Sequence, residues 1–176
     1  RVVAERARRF TAGPLDRVIA DIADARERGA RAIFFVDDNI TLDIRRFGRL
    51  CHAIVDHGLD DVEYIVQAMT SPLAQHGATL APLMKRAGFR YVFLGIENIL
   101  DRDLSFLKAR AKNARRGDPG DGNQSGHAAV DAITHLHRHG MFVVGGLIVG
   151  NPDDTPESIE ANLEFARQYV DWPYIQ

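Results

Sequence analysis

The 176-residue chain contains a single cysteine, Cys51. One thiol excludes an intramolecular disulfide and any metal centre built on cysteine alone, and such sparing use fits a reducing compartment. Long apolar runs are also missing. Nothing approaches the roughly 18–20 apolar residues that cross a bilayer, and the opening "RVVAERARRF" lacks the apolar region of a secretory signal. A cytoplasmic protein without a membrane partner is expected. Nor is there a surplus of positive charge: 22 Lys and Arg face 24 Asp and Glu, for a net charge of −2, so no broad basic face for nucleic acid is expected.

What is present is ordinary for one globular domain: 45% hydrophobic and 26% charged residues. The chain starts at Arg1 and stops at "DWPYIQ", so it is read as a piece of a longer protein. Four times an amphipathic stretch ends in glycine and an apolar run follows: "RERGARAIFFVDDN", "VDHGLDDVEYIVQ", "MKRAGFRYVFLGIEN" and "HRHGMFVVGGLIVGN". Glycine just past a helix adopts the left-handed conformation that satisfies the last carbonyls, so each marks a helix end.

Helical period appears in Leu15, Val18, Ile19 and Ile22; in Ile44, Phe47, Leu50, Cys51 and Ile54; in Leu80, Leu83, Met84 and Ala87; and in Val130, Ile133 and Leu136. Strands are expected near 31–37, 62–68, 91–96 and 142–149. They are apolar on both faces, as in a parallel sheet with crossover helices. The architecture is α/β, built of repeated βα units. Residues 108–126, "KARAKNARRGDPGDGNQSG", have no apolar period and predict a long surface loop closing by 127; its Lys108, Arg110, Lys112, Arg115 and Arg116 are read as solvated.

Polar residues collect at the carboxyl ends of the strands: Asp37, Asp38 and Asn39; Gln67; Glu97 and Asn98; Asn151 and Asp153. That edge carries the binding site in parallel α/β folds. Asp37 to Asn39 also suit a cap for the helix starting near Leu42. Thr155 reads as the cap of the last helix, with Pro156 at its first position and Ile159, Leu163, Ala166 and Val170 as its buried stripe. Glu97 closes a strand as apolar as "YVFLGI", where a carboxylate is costly without a partner, which makes it the leading site candidate. His135 and His139 fall four residues apart, but their helix lacks the zinc-protease glutamate, so the seven histidines are read as a surface group and no metal ligands are assigned. Cys51 is read as core.

"IFFVDDNI", "KRAGFRYVFLGIEN" and "GGLIVGNPDDTPESI", in that order and spacing, resemble the radical S-adenosylmethionine superfamily, most closely its cobalamin-binding-domain branch. The resemblance covers nearly the whole chain. It implies a partial six-stranded (β/α) TIM-like barrel, truncated at both ends, in which residues 1–176 run from the first helix to the start of the sixth strand at "PYIQ". It further implies that Asp37, Asp38 and Asn39 receive the methionyl amino group and that Glu97, with Asn98, meets the ribose. Gly146-Leu147-Ile148-Val149-Gly150 then stands as the family's Gly-x-Ile-x-Gly, with Ile148 against the adenine and the glycines admitting a flat ring.

The family's Cys-x3-Cys-x2-Cys loop, which holds a [4Fe–4S] cluster, is absent, and by the family's order it lies upstream of Arg1. The implied cofactors of the full-length enzyme are S-adenosylmethionine and that cluster, with cobalamin through another domain by analogy alone. The implied activity is reductive cleavage of S-adenosylmethionine to start radical chemistry on a small-molecule substrate, and the segment alone is expected to be inactive. Two rivals stay open: a non-catalytic nucleotide- or partner-binding barrel, and a Mg²⁺-dependent hydrolase or lyase using Asp37, Asp38, Glu97 and Asp153. Exposed sheet edges make a homo-oligomer the expected assembly.

Overall fold

A computed structural model describes residues 14–109 and 126–176. In chain order these form α1 (Leu15–Glu27), β1 (Ala32–Phe34), a 3-10 turn (Ile40–Leu42), α2 (Ile44–Asp56), β2 (Glu63–Met69), α3 (Thr70–Arg86), β3 (Phe89–Glu97), α4 (Asp101–Phe106), α5 (Gly126–Arg138), β4 (Phe142–Leu147), α6 (Pro156–Tyr169) and β5 (Trp172–Ile175). Most of the loop expected over 108–127 lies outside the described residues. Gly29, Gly58, Gly88 and Gly140, the four glycines read as helix ends, all have positive φ.

The five strands make one parallel sheet in the order β1-β2-β3-β4-β5. Parallel crossovers are right-handed in nearly all proteins, so a sheet whose order never reverses carries its helices on one face. Burial alternates accordingly. Tyr64, Val66 and Ala68 of β2, Val92, Leu94 and Ile96 of β3, and Val143 and Leu147 of β4 are buried with Phe47, Ile54, Leu73, Met84, Ile133 and Leu136 from the helices. The residues between them face the other, open side, where Phe34, Tyr91, Phe142, Trp172 and Tyr174 are exposed. This is the α/β parallel architecture expected, with β5 where the last strand was placed.

Several expectations shift. β1 covers three residues rather than seven, because the backbone beyond Phe35 turns into the 3-10 turn capped by Asn39. The cap of α2 is Asp43, which accepts from Arg46 N, and not the Asp37–Asn39 stretch. α4 was not foreseen. On α6 the buried positions are Ser158, Asn162, Phe165 and Ala166, with Ile159 and Leu163 only half-buried, so the helix is rotated by about one position from the apolar stripe. Its cap is as read: Thr155 Oγ1 accepts from Ser158 N while Ser158 Oγ accepts from Thr155 N.

Helix packing also corrects one histidine. His135 is half-buried, and a Cβ added to Gly77 on α3 would lie 2.5 Å from its ring, so His135 is a packing residue between α3 and α5. His139 lies beyond the end of α5 and does not share its last turn. Cys51 is fully buried, as expected. No helix among the described residues is long and apolar enough to cross a membrane.

Candidate functional site

Strand register sets the layers of the open face. Gln67, Phe93, Val144 and Trp172 lie abreast on β2 to β5; one layer closer to the carboxyl edge come Met69, Gly95, Gly146 and Tyr174. β2 therefore runs two residues past Gln67, which places that side chain below the edge rather than on it. Next along β3 is Glu97, where the register with β4 shifts so that Glu97 stands opposite Leu147.

Glu97 has φ 66, the left-handed region that side-chain-bearing residues avoid. Asn98 N donates to Ile96 O at 2.9 Å, closing a three-residue turn around it. A γ-turn with positive central φ is rare and strained, and a non-glycine residue held there costs about 1–3 kcal/mol. The turn folds the side chain back along the strand: Glu97 Oε1 lies 3.1 Å from where a Gly95 Cβ would stand. The carboxylate thus covers the open face of Gly95, and a methyl there would push it aside by a few tenths of an ångström.

At Gly146, beside Gly95, a Cβ would stand 3.1 Å from the ring of Phe93. Phe93 in turn packs against Tyr174, with ring centroids 5.8 Å apart at 63°. Gly145 points the other way, where a Cβ would come within 2.8 Å of Val170 and 3.0 Å of Ile96. Gly150 is a turn residue at φ 91 with nothing within 4 Å of its Cβ position.

Ile148 is half-buried at the same edge, its N–H donating to Glu97 O at 2.6 Å. Asn98 turns inward: it is 1% exposed, donates to Ile148 O at 3.1 Å and accepts from Leu100 N at 2.9 Å. Asn39 is held by its own turn, accepting from Thr41 N at 3.0 Å and Thr41 Oγ1 at 2.6 Å while its amide meets Met69 Sδ. Asp37 and Asp38 are exposed beside it. The edge thus brings together Glu97, Ile148, Gly146 and, through the Asn39–Met69 contact, the loop after β1.

Beyond β4, Asp154 organises the turn by accepting from Gly150 N at 2.7 Å, Asn151 N at 2.8 Å and Ser158 Oγ at 2.9 Å. Desolvation opposes its charge, but these three donors prevail and hold its carboxyl below the usual range. Asn151 is buried, and its Nδ2 has no hydrogen-bond partner; the same holds for Oδ2 of Asp103 on α4. Burial raises the Asp103 carboxyl, with Arg102, 3.6 Å away, pulling it partly back and Asp154 and Asp153 adding to the rise.

Two residues were missed in the sequence. Thr70, fully buried at the start of α3, donates to Gly95 O at 2.8 Å and fixes the strand under Glu97. Asn162, 1% exposed on α6, accepts from Ile99 N and donates to Asn98. The signal for Asn162 was available: it lies four residues from both Ser158 and Ala166, on a helix whose cap was already assigned.

Ligands for inorganic groups are a different matter. Cys51, the one cysteine, is fully buried and desolvation pushes its thiol up to about 12, so the residues present do not fit a thiolate-held iron–sulfur cluster. Asp37, Asp38, Glu97 and Asp153 do not converge either: no group of three His, Cys, Asp or Glu among the described residues is arranged to hold a metal ion. The Mg²⁺ reading has no ligand set.

No family model matches the chain. The sequence is similar to an uncharacterized methyltransferase of Pyrococcus horikoshii, PH0819: 29% identical over 170 residues, covering 96% of this chain and 33% of that protein. The fold is similar to part of a radical S-adenosylmethionine methyltransferase, TsrM from Kitasatospora setae. Its structure with cobalamin and a [4Fe–4S] cluster bound matches with a TM-score of 0.75 at 19% identity, covering 93% of this chain and 30% of that one. Its structure with tryptophan substrate and the analogue aza-SAM bound matches with a TM-score of 0.72 at 18% identity, over the same shares. The chain spans about a third of the length of these relatives.

Proposed function

We propose that this chain is the nucleoside-holding part of a radical S-adenosylmethionine methyltransferase, with the cluster thiolates supplied by sequence outside residues 1–176. The observation that carries the reading is Glu97. A carboxylate held at φ 66, at the end of a central strand and over an unsubstituted glycine, is a strained group at a strand's carboxyl edge. That is where a parallel α/β fold binds its ligand. The TsrM-like fold and the similarity to an uncharacterized methyltransferase support the same assignment.

In this reading Glu97 accepts from the ribose hydroxyls, Ile148 offers an apolar surface to the adenine, and Asp37 and Asp38 face the methionyl ammonium. The Phe93–Tyr174 pair walls the site and helps exclude water from the transferred group. The unpartnered buried donor of Asn151 is assigned to the adenine in the same reading. Gln67, Asn98 and Asn39 shape the edge from below and behind. S-adenosylmethionine supplies the methyl group or the radical; the residues here bind and orient it. Cobalamin enters by analogy with the fold neighbour, and none of these residues is assigned to it. The acceptor is a small molecule.

Calorimetric titration of the full-length protein with S-adenosylhomocysteine tests the assignment. A charged acceptor bonded to a hydroxyl contributes about 1.5–3 kcal/mol, so Glu97→Gln weakens binding roughly ten- to a hundredfold with the melting temperature little changed. Thr155→Ala, a control that loses the α6 cap, costs about 1 kcal/mol of stability and leaves binding as it was. Wild-type affinity in Glu97→Gln refutes the ribose contact.

One further reading is favoured by the single buried cysteine: a barrel that binds the nucleoside without cleaving it. Release of 5′-deoxyadenosine by the reduced full-length protein separates the two.

A further inference from the structure

Behind Glu97 lies a bridge of buried amides that the nucleoside reading does not use. Asn162 Oδ1 accepts from Ile99 N at 3.1 Å, and its Nδ2 donates to Asn98 Oδ1 at 3.2 Å and to Ser158 O at 3.0 Å. Asn98 passes the link on: its Oδ1 takes Leu100 N at 2.9 Å and its Nδ2 holds Ile148 O at 3.1 Å. Ile148 N closes the circuit on Glu97 O at 2.6 Å. Both asparagines are 1% exposed, so neither reaches a ligand on the open face.

The two residues joined by this circuit, Glu97 at the end of β3 and Ile148 just past β4, are the two the nucleoside reading places on ribose and adenine. The circuit encloses the one strained turn of the edge. A left-handed glutamate persists only where its surroundings over-determine it. Here Asn98 N is tied to Ile96 O, the Asn98 side chain to β4, and Ile99 N to α6, so the turn is fixed on three sides. α6 is the anchor, and it is itself fixed by the Thr155–Ser158 cap one turn before Asn162.

We propose that Asn162 is a positioning residue: through Asn98 and Ile99 it holds Glu97 and Ile148 in register with each other, and so sets the affinity of a site it does not touch. This rests on the nucleoside reading and adds a residue to it from the helix-covered side. Fully satisfied buried amide networks specify one arrangement, and a partly satisfied one is worse than none. Removing Asn162 takes away the donor it gives Asn98 Oδ1 and the acceptor it gives Ile99 N, and the turn relaxes.

The test is a double-mutant cycle in the full-length protein, with S-adenosylhomocysteine as probe and melting curves alongside. Asn162→Leu, close in volume and unable to bond, weakens binding about tenfold. If it acts through Glu97, the Asn162→Leu/Glu97→Gln double variant binds no more than about twofold worse than Glu97→Gln alone, whereas independent losses multiply. Should Asn162→Leu fail to fold, Asn162→Ala removes the same hydrogen bonds without adding bulk or charge and gives a loss with the same non-additivity. Amide hydrogen exchange at Ile99 and Ile148 rises at least tenfold in either variant.

Wild-type affinity in Asn162→Leu beside an impaired Glu97→Gln overturns the inference and leaves the nucleoside site standing. Multiplicative losses, or unchanged exchange at Ile148, overturn it too. A wild-type protein that takes up no nucleoside ends both.

Discussion

Gly145 and Gly146 are neighbours on β4 that point to opposite faces, and adding one methyl to each separates packing from binding. At Gly145 the new Cβ meets both Val170 methyls at 2.8 Å and Ile96 Cδ1 at 3.0 Å, inside a core that has no slack. Contacts that close force side chains off their rotamers or shift the backbone, at about 1–3 kcal/mol. At Gly146 the Cβ meets the ring of Phe93 at 3.1 Å, and Phe93 is half-buried on the open face. The ring yields by a few tenths of an ångström, and the smaller entropy of the unfolded chain returns roughly 0.4–1 kcal/mol, so stability changes by less than about 1 kcal/mol in either direction.

The yielding ring has consequences for the proposed site, because Phe93 leans on Tyr174, which lies abreast of Gly146 and of the Gly95 that Glu97 covers. We expect Gly146→Ala to weaken S-adenosylhomocysteine binding about tenfold, or about 1.4 kcal/mol. Gly145→Ala melts lower and binds nearly as wild type. Denaturant or thermal melts with calorimetric titration on the full-length protein read both quantities. Equal stability losses in the two variants, or intact binding in Gly146→Ala, refute the assignment of faces.

Two other outcomes are expected. Burial raises the folded-state carboxyl of Asp103 above its unfolded value, so folding is most favoured below the usual carboxylate pKa of about 3.9 and loses stability as pH climbs through the raised value; Asp103→Asn therefore melts higher than wild type at pH 7, and the gap closes near pH 3. A lower melting temperature for Asp103→Asn at pH 7 contradicts this. Residues 1–176 purified alone, after anaerobic treatment with iron and sulfide, show no thiolate-to-iron absorbance and release no 5′-deoxyadenosine, since their one thiol is buried; either signal reverses that expectation.

The repeated βα units were legible because their signals are local: a glycine at each of four helix ends, apolar periods between them, and mostly apolar strands with polar residues gathered at their carboxyl ends. Glu97 was legible as a costly charge at the end of "YVFLGI". Its left-handed turn was not, because glutamate carries no composition signal for positive φ, and the conformation is imposed from α6 and β4. Asn162 carried a local signal, its four-residue spacing from Ser158 and Ala166, but the apolar stripe pointed elsewhere. Apolar period placed Ile159 and Leu163 inward, but the hydrogen bonds of Ser158 to Asp154 and of Asn162 to Asn98 turn the helix until those polar residues are buried. Asn39, read as a cofactor contact, spends its carbonyl on a turn only three residues long, and such short turns and the six-residue α4 have no period to detect.

The central claim is that a nucleoside lies across the carboxyl edge between Glu97 and Ile148. Its most direct test is the nuclear Overhauser effect between adenine protons of bound S-adenosylhomocysteine and the δ-methyl of Ile148, in full-length protein labelled at isoleucine methyls and assigned with an Ile148→Val variant. The account predicts a cross-peak from an adenine proton to that methyl, lost with Glu97→Gln at probe concentrations that saturate the wild type. Saturating binding with no contact at Ile148, or contacts confined to methyls on the helix-covered face, contradicts it.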